Sequence, residues 1–204
     1  MKATYTQWTV FKSCPFWYNS LYVKKERTRQ QSEALDRGVR VHEGLEAFVK
    51  GETDELPAEV HPSWRGTLEI LRTMDDAVKS EVKISNDIAY GKFDILIDGN
   101  DPVVMDFKTG KNRKLEIEVR EQLRFYTWLL GKDATTKLLW VEHPEDKATL
   151  TLQVRFSKVL DNVWRRRIDK MQSGDKTKTP NWKCRYCPVA YCEHNENEDI
   201  HDGK

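Results

Sequence analysis

Val103-Val104-Met105-Asp106-Phe107-Lys108 is a short, mostly apolar run that closes on a carboxylate and an ammonium. Its length and unbroken apolarity suit a central strand covered on both faces. Residues two apart on a strand point to the same side, so Asp106 and Lys108 face one site. Just upstream, Asp98-Gly99-Asn100-Asp101 is a turn. It folds the alternating stretch 88–98 back alongside, which brings Asp94 toward Asp106. An earlier strand holds Glu81-Val82-Lys83-Ile84. Downstream, a basic loop from Lys108 to Lys114 leads into a helix from about Glu116 to Leu130, then strands at 137–142 and 149–156. Strands joined through a crossover helix predict an α/β fold, a mixed central β-sheet flanked by helices.

The flanks read as helical. Residues 5–23 form an aromatic-rich helix interrupted near Cys14-Pro15, and a basic run, Lys24 to Arg29, follows. Ser32 is placed to cap a second helix. There Leu35, Val39, His42, Glu46 and Val49 recur at helical spacing, which puts His42 on an inner face. Gly51 ends it. Pro62 opens a third helix running to about Ser80. A last helix spans about Lys158 to Met171. The expected organisation is one domain over 1–204, with a core of about 31–157 and flanking segments of about 5–30 and 158–204.

The chain has 204 residues, with seven each of Trp, Tyr and Phe, too aromatic for a disordered chain. A net charge of +1 excludes a uniformly basic DNA-coating protein. Local patches must do any phosphate binding. Arg155 to Arg185 holds ten Lys/Arg against three Asp, whereas 193–202 is acidic. No apolar run approaches a membrane span and no signal-peptide core follows Met1, so a reducing cytoplasm is expected. With no G-x4-G-K-[ST] loop, neither ATP use nor helicase activity is expected in this chain.

Asp94, Asp106 and Lys108 are the equipment phosphodiester cleavage needs. Two carboxylates hold hard divalent cations, usually Mg²⁺, which polarise a phosphate and acidify a water. A nearby lysine positions or deprotonates that water, or offsets charge on the phosphate. A lone D-x-K triplet is weak, since such triplets arise by chance on solvated strand ends. Gly38-x3-His42, Glu81 and Gln122-Leu-Arg-Phe-Tyr126 strengthen it. Each also has a plain reading. His42 fits a satisfied core histidine, Asp94 a partner of Lys92, Glu81 a strand-end charge, and Tyr126 helix packing.

Taken together, Gly38-Val-Arg-Val-His42, Gly91-Lys-Phe-Asp94, Asp106-Phe-Lys108-Thr-Gly110 and Gln122-Leu-Arg-Phe-Tyr126 resemble, in that order, the RecB-type branch of the PD-(D/E)xK nucleases. That branch includes the nuclease domains of bacterial recombination helicase–nucleases, among them the AddB type, and the CRISPR-associated adaptation exonucleases. The resemblance implies a restriction-endonuclease-like core. It implies His42, Asp94, Asp106 and the Phe107 carbonyl as ligands of Mg²⁺ or Mn²⁺, with Lys108 as the catalytic lysine. Gln122 and Tyr126 would support the lysine or the DNA phosphates. Glu81 matches a carboxylate often found just before the G-x-x-D strand.

Cys14 stands alone, while Cys184, Cys187 and Cys192 form C-x2-C-x4-C. In a cytoplasmic chain this favours a metal site over disulfides. Four thiolates suit Zn²⁺ or an iron–sulfur cluster, and spacing alone leans to zinc. The split of one plus three resembles the [4Fe-4S] staple found in a subset of the same nucleases, although the last spacing there is usually about one residue longer. Unligated buried thiols are the plain alternative.

For DNA contact the loop residues Lys111, Arg113 and Lys114 adjoin the site. Arg165, Arg166, Arg167 and Trp182 lie in a stretch where bases and aromatics interleave, which suits single strands. A solvated helix face is the ordinary alternative for any one of them. The expectation is a DNA exonuclease acting on single strands or free ends in recombination or repair, compatible with a helicase or recombination partner. The competing readings are a structure-specific endonuclease and a non-catalytic four-cysteine nucleic-acid-binding module.

Overall fold

A computed structural model describes residues 2–26, 33–74, 77–110 and 116–195. The basic run beyond Glu26, the Ser32 cap, and Lys111, Arg113 and Lys114 lie outside the described residues. In chain order the elements are α1 (Tyr5–Ser13), α2 (Pro15–Tyr18), a π-helical turn (Asn19–Val23), α3 (Glu33–Val49), a 3-10 turn (Pro62–Trp64), α4 (Arg65–Thr73), β1 (Val78–Ser85), β2 (Tyr90–Ile97), β3 (Val103–Lys108), α5 (Glu116–Leu130), β4 (Ala134–Trp140), a second 3-10 turn (Glu145–Lys147), β5 (Thr149–Val154), α6 (Lys158–Gln172) and a third 3-10 turn (Trp182–Tyr186). They form two compact units, one from residues 32–161 and one from the residues before and after.

The 32–161 unit contains a five-stranded sheet in the order β1-β2-β3-β4-β5. β3 and β4 are parallel, with α5 as the crossover, and the other neighbours are antiparallel. This is the mixed sheet flanked by helices that the sequence predicts. The reason lies in β3, whose inner four residues are all buried, as a strand covered on both faces must be. The edge strand β5 instead alternates exposed with half-buried residues. Leu123, Phe125 and Trp128 of α5 are almost fully buried, each worth about 2 kcal/mol of apolar transfer. Gly91 of β2 is required by this packing, because a Cβ there would stand 2.8 Å from Leu129 Cδ1 of α5.

Three expectations shift. The helix opened by Pro62 ends at Thr73 rather than near Ser80, and β1 already starts at Val78. Val78 and Ser80 pair with Ile97 and Ile95, so the ladder claims residues that helical spacing alone leaves open. β4 begins at Ala134 rather than 137 and ends at Trp140, because β3 starts at Val103 and its parallel register aligns Val103 with Thr135. In α3 the core face is Val41, Leu45 and Phe48, all fully buried, while Leu35 and Val39 are exposed. The stripe containing His42 therefore runs along an open cleft, with His42 half-buried and only Val49 reaching the core.

The other unit joins the two chain ends. Trp8, Phe11, Tyr18, Trp164, Ile168 and Met171 form its core. Trp8 and Trp164 meet edge to face at 6.4 Å, and the Arg167 guanidinium lies over both indoles. Phe16 N–H donates to Thr177 O and Asn181 Nδ2 to Ser13 O. Among the described residues no helix is long and apolar enough to cross a membrane.

Candidate functional site

The site forms where β2 and β3 part. Their paired residues run from Ile97↔Val103 to Ile95↔Met105, and one step further stand Asp94 and Asp106. There the Asp94 side chain replaces the ladder: its Oδ2 accepts the Phe107 N–H at 2.6 Å. Its Oδ1 lies 3.2 Å from His42 Nδ1 on α3. On the other flank Ser80 pairs with Ile95 and Val82 with Phe93, which sets Glu81 opposite Asp94. Glu81, Asp94 and Asp106 thus lie in one row across three strands. Glu81 has a φ of +54°, a conformation costing a non-glycine residue about 1–2 kcal/mol. Its carboxylate pairs with Lys92.

Asp106 is buried. Its Oδ1 accepts hydrogen bonds from Tyr126 OH at 2.9 Å and Gln122 Nε2 at 3.3 Å. Gln122 Nε2 also donates to Tyr126 OH at 2.6 Å. These two side chains lie one turn apart on α5, as their spacing requires. Asp106 Oδ2 is different. It is sealed from solvent, and the Lys108 ammonium stands 2.5 Å away. The contact is a charge-assisted pair that opposes the burial of the carboxylate.

The charge balance follows from this geometry. Burial pushes the Asp106 carboxyl above its ordinary range, Lys108 opposes that, and the charge on Asp94 adds to it. For His42, burial acts to lower the pKa, but the Asp94 hydrogen bond and the charges of Asp94 and Asp106 outweigh it and the net shift is upward. Tyr126 is pushed well above its usual value by burial and then by Asp106, so it remains a hydrogen-bond donor. Raised values on a carboxylic acid and an imidazole together mark a half-buried place with excess negative charge. A cation relieves it.

Among the described residues no three His, Cys, Asp or Glu side chains stand as a ready-made metal cage. Lys108 Nζ stands at Asp106 and the His42 ring at Asp94. The donors still fit a hard divalent ion: two carboxylates on adjacent strands and an imidazole beside them. The open cleft over them measures about 570 Å³ and is lined by His42, Glu81, Asp94, Asp106 and Tyr126, among others. Sequence reasoning missed Glu43, which also lines it, and Leu35 and Val39 as cleft rather than core residues. The competing stripe Val41-Leu45-Phe48, more apolar throughout, was the signal that separates the two faces.

In the other unit Cys14, Cys184, Cys187 and Cys192 line one cavity. Asn181 N–H points at Cys184 Sγ, 3.4 Å away. Cys187 is pushed up to about 11, chiefly by burial and further by the other three cysteines. Four cysteines around one cavity suit a shared cation, though they are not drawn into ligand geometry. Arg166 and Trp182 are exposed, whereas Arg165 and Arg167 are half-buried.

The family model described as the PD-(D/E)XK nuclease superfamily matches residues 67–192. No curated protein matches the chain. The crystal structure of SSO0001 superposes with a TM-score of 0.61 at 19% identity, covering 95% of this chain and 87% of that one. An alkaline exonuclease (LHK-Exo) from Laribacter hongkongensis superposes with a TM-score of 0.50 at 11% identity, covering 84% and 86%. At these identities the likeness is one of fold.

Proposed function

Because the chain belongs to the PD-(D/E)XK nuclease superfamily, we propose that it is a divalent-metal-dependent DNA exonuclease acting on single strands or free ends. The observation that carries this reading is the buried Asp106 carboxylate, its Oδ2 sealed and faced by the Lys108 ammonium at 2.5 Å, one step from Asp94 on the neighbouring strand. In this reading His42, Asp94, Asp106 and the Phe107 carbonyl hold Mg²⁺ or Mn²⁺, with Glu81 held back by Lys92. Once bound, the ion supplies Lewis acidity to the phosphate and lowers the pKa of an attacking water. Asp94 ties its strand to the Phe107 N–H and so holds the two carboxylate-bearing strand ends together. Lys108 moves from Asp106 to the attacking water or the phosphate. Tyr126 and Gln122 hold Asp106 through Oδ1 and leave Oδ2 to Lys108. The open, one-sided cleft and a fold neighbour named as an exonuclease support ends rather than a specific sequence.

The four cysteines hold a second metal centre in this reading, with [4Fe-4S] favoured by the resemblance and Zn²⁺ the alternative. Its role is to fasten the two chain ends within their own unit. Anaerobically purified protein that is brown with broad visible absorption has the cluster; colourless protein with stoichiometric zinc does not.

The deciding assay uses end-labelled linear and closed circular single-stranded DNA with Mg²⁺ or Mn²⁺. Linear DNA should be degraded and circles spared. Cut circles would replace the exonuclease with an endonuclease, and binding without any metal-dependent cleavage would leave a nucleic-acid-binding module.

A further inference from the structure

Glu142 follows β4 and is not part of any motif discussed above, yet its side chain is only 6% exposed. One oxygen, Oε1, accepts the Gly110 N–H at 2.8 Å. The other, Oε2, meets Arg37 Nη2 of α3 at 2.8 Å. One carboxylate therefore spans two pieces of the site. Gly110 ends the Lys108-Thr109-Gly110 segment with a φ of +107°, a value that suits glycine. Lys108 is itself fixed by its carbonyl, which accepts the Val141 N–H next to Glu142. On α3, Arg37 is followed by Gly38, where a Cβ would stand 3.3 Å from Thr109 Oγ1. His42 comes one turn later and meets the Phe107 ring edge to face at 6.3 Å.

We infer that Glu142 and Arg37 are positioning residues that latch helix α3 to the loop after Lys108, so that His42 and Lys108 address the two carboxylates together. The inference rests on the metal-centre reading above. A charged acceptor in a nearly sealed place makes strong, directional contacts, and such contacts behind the ligands set ligand geometry. Without the latch, α3 and the 108–110 segment lose the carboxylate that ties them to one point, and His42 and Lys108 are free to shift relative to each other.

The test uses the full chain and two readouts. The first is Mn²⁺ affinity followed by electron paramagnetic resonance, without DNA. The second is kcat and KM on end-labelled single-stranded DNA. Glu142→Ala should weaken Mn²⁺ binding about 10–100-fold and lower kcat in proportion, with KM changed less than about twofold. Glu142→Gln keeps the acceptor for Gly110 and should fall between. Arg37→Ala should resemble Glu142→Gln, Arg37→Lys should restore part of the loss, and the double variant should be no worse than the worse single. If Glu142→Ala fails to fold, the half-exposed Arg37 and the isosteric Gln variant carry the test. Unchanged Mn²⁺ affinity in a folded variant, or additive losses in the double variant, would overturn the latch. Wild-type protein that binds Mn²⁺ without cutting DNA would remove the nuclease reading and leave the latch to be judged on affinity. Wild-type protein that binds no Mn²⁺ would overturn the latch outright.

Discussion

The carboxylate cleft and the cysteine cavity solve the same electrostatic problem differently. In the cleft the three carboxylates in the row across the sheet each have a basic neighbour: Lys108 at Asp106, His42 at Asp94, and Lys92 at Glu81. The sheet beneath is held by ladders that need no metal. In the cavity, four thiols face one another, Cys187 is pushed upward, and the chain around them has only a short 3-10 turn. Lys178 does stand near Cys14 and Cys192, but it is paired with Glu193. Where strand ladders hold the site, losing a metal costs chemistry. Where little regular structure surrounds the ligands, losing a metal costs structure.

The sharpest way to break that comparison is at the cleft. Asp106→Ala or Lys108→Ala should lower divalent-dependent DNA cleavage by at least about 10²–10³-fold. Thermal melting should move by no more than a few degrees, because both side chains sit at the end of a strand whose pairing is untouched. Full activity in either variant would remove the assignment. A melt that collapses along with activity would erase the contrast between the two sites.

The cavity should respond in the opposite sense. On the proposed metal-centre reading, Cys187→Ser should lower the metal content of the purified protein and its stability by about 3 kcal/mol or more, roughly 6–12 °C for a chain of this size. Once refolded at low temperature, the same variant should retain cleft-based Mn²⁺ binding. Metal content, melting temperature and Mn²⁺ affinity measured on one preparation decide this. A variant with wild-type metal content and melting would mean that Cys187 is an ordinary buried thiol.

How much of this was legible beforehand differs between the two places. The cleft reads directly because its parts obey local periodicities: Asp106 and Lys108 at strand spacing, Gln122 and Tyr126 at helical spacing, and Asp94 returned by a turn. His42 was found by motif but put on the wrong face, since Leu35 and Val39 imitate a core stripe until Val41, Leu45 and Phe48 are seen to take that role. The start of β1 at Val78 is set by pairing with Ile97, which helical periodicity does not encode. Glu142 was invisible because its partners lie 32 and 105 residues away and meet only once β4 lies parallel to β3. The cysteines declared a ligand type, while their convergence on one cavity depends on the packing of both chain ends.

The smallest change sharpens the cleft further. Tyr126→Phe removes one donor to Asp106 Oδ1 and leaves Gln122 alone there. One such bond is worth about 1–3 kcal/mol when it reaches a charged acceptor, so Mn²⁺ affinity should fall by about 5-fold or more. The sign of the pH effect follows from which form of Asp106 the phenol favours. Its hydrogen bond favours the ionised carboxylate, so its loss raises an already elevated pKa. Metal binding needs the ionised form, and the acid limb of activity should therefore move to higher pH. Stability of the metal-free protein runs the other way. A carboxyl raised in the folded state stabilises the fold below its unfolded value near 4, and that contribution is lost as pH rises through the folded value. His42, also raised, loses its contribution from its ordinary value near 6.5 upward. The metal-free protein should thus soften as pH rises toward neutrality, more so in Tyr126→Phe, and Mn²⁺ should flatten that slope in both. A pH series of melts with and without Mn²⁺ reads this directly. A metal-free slope of the opposite sign, traced to His42 by its loss in His42→Ala, would mean that the cleft is not short of positive charge.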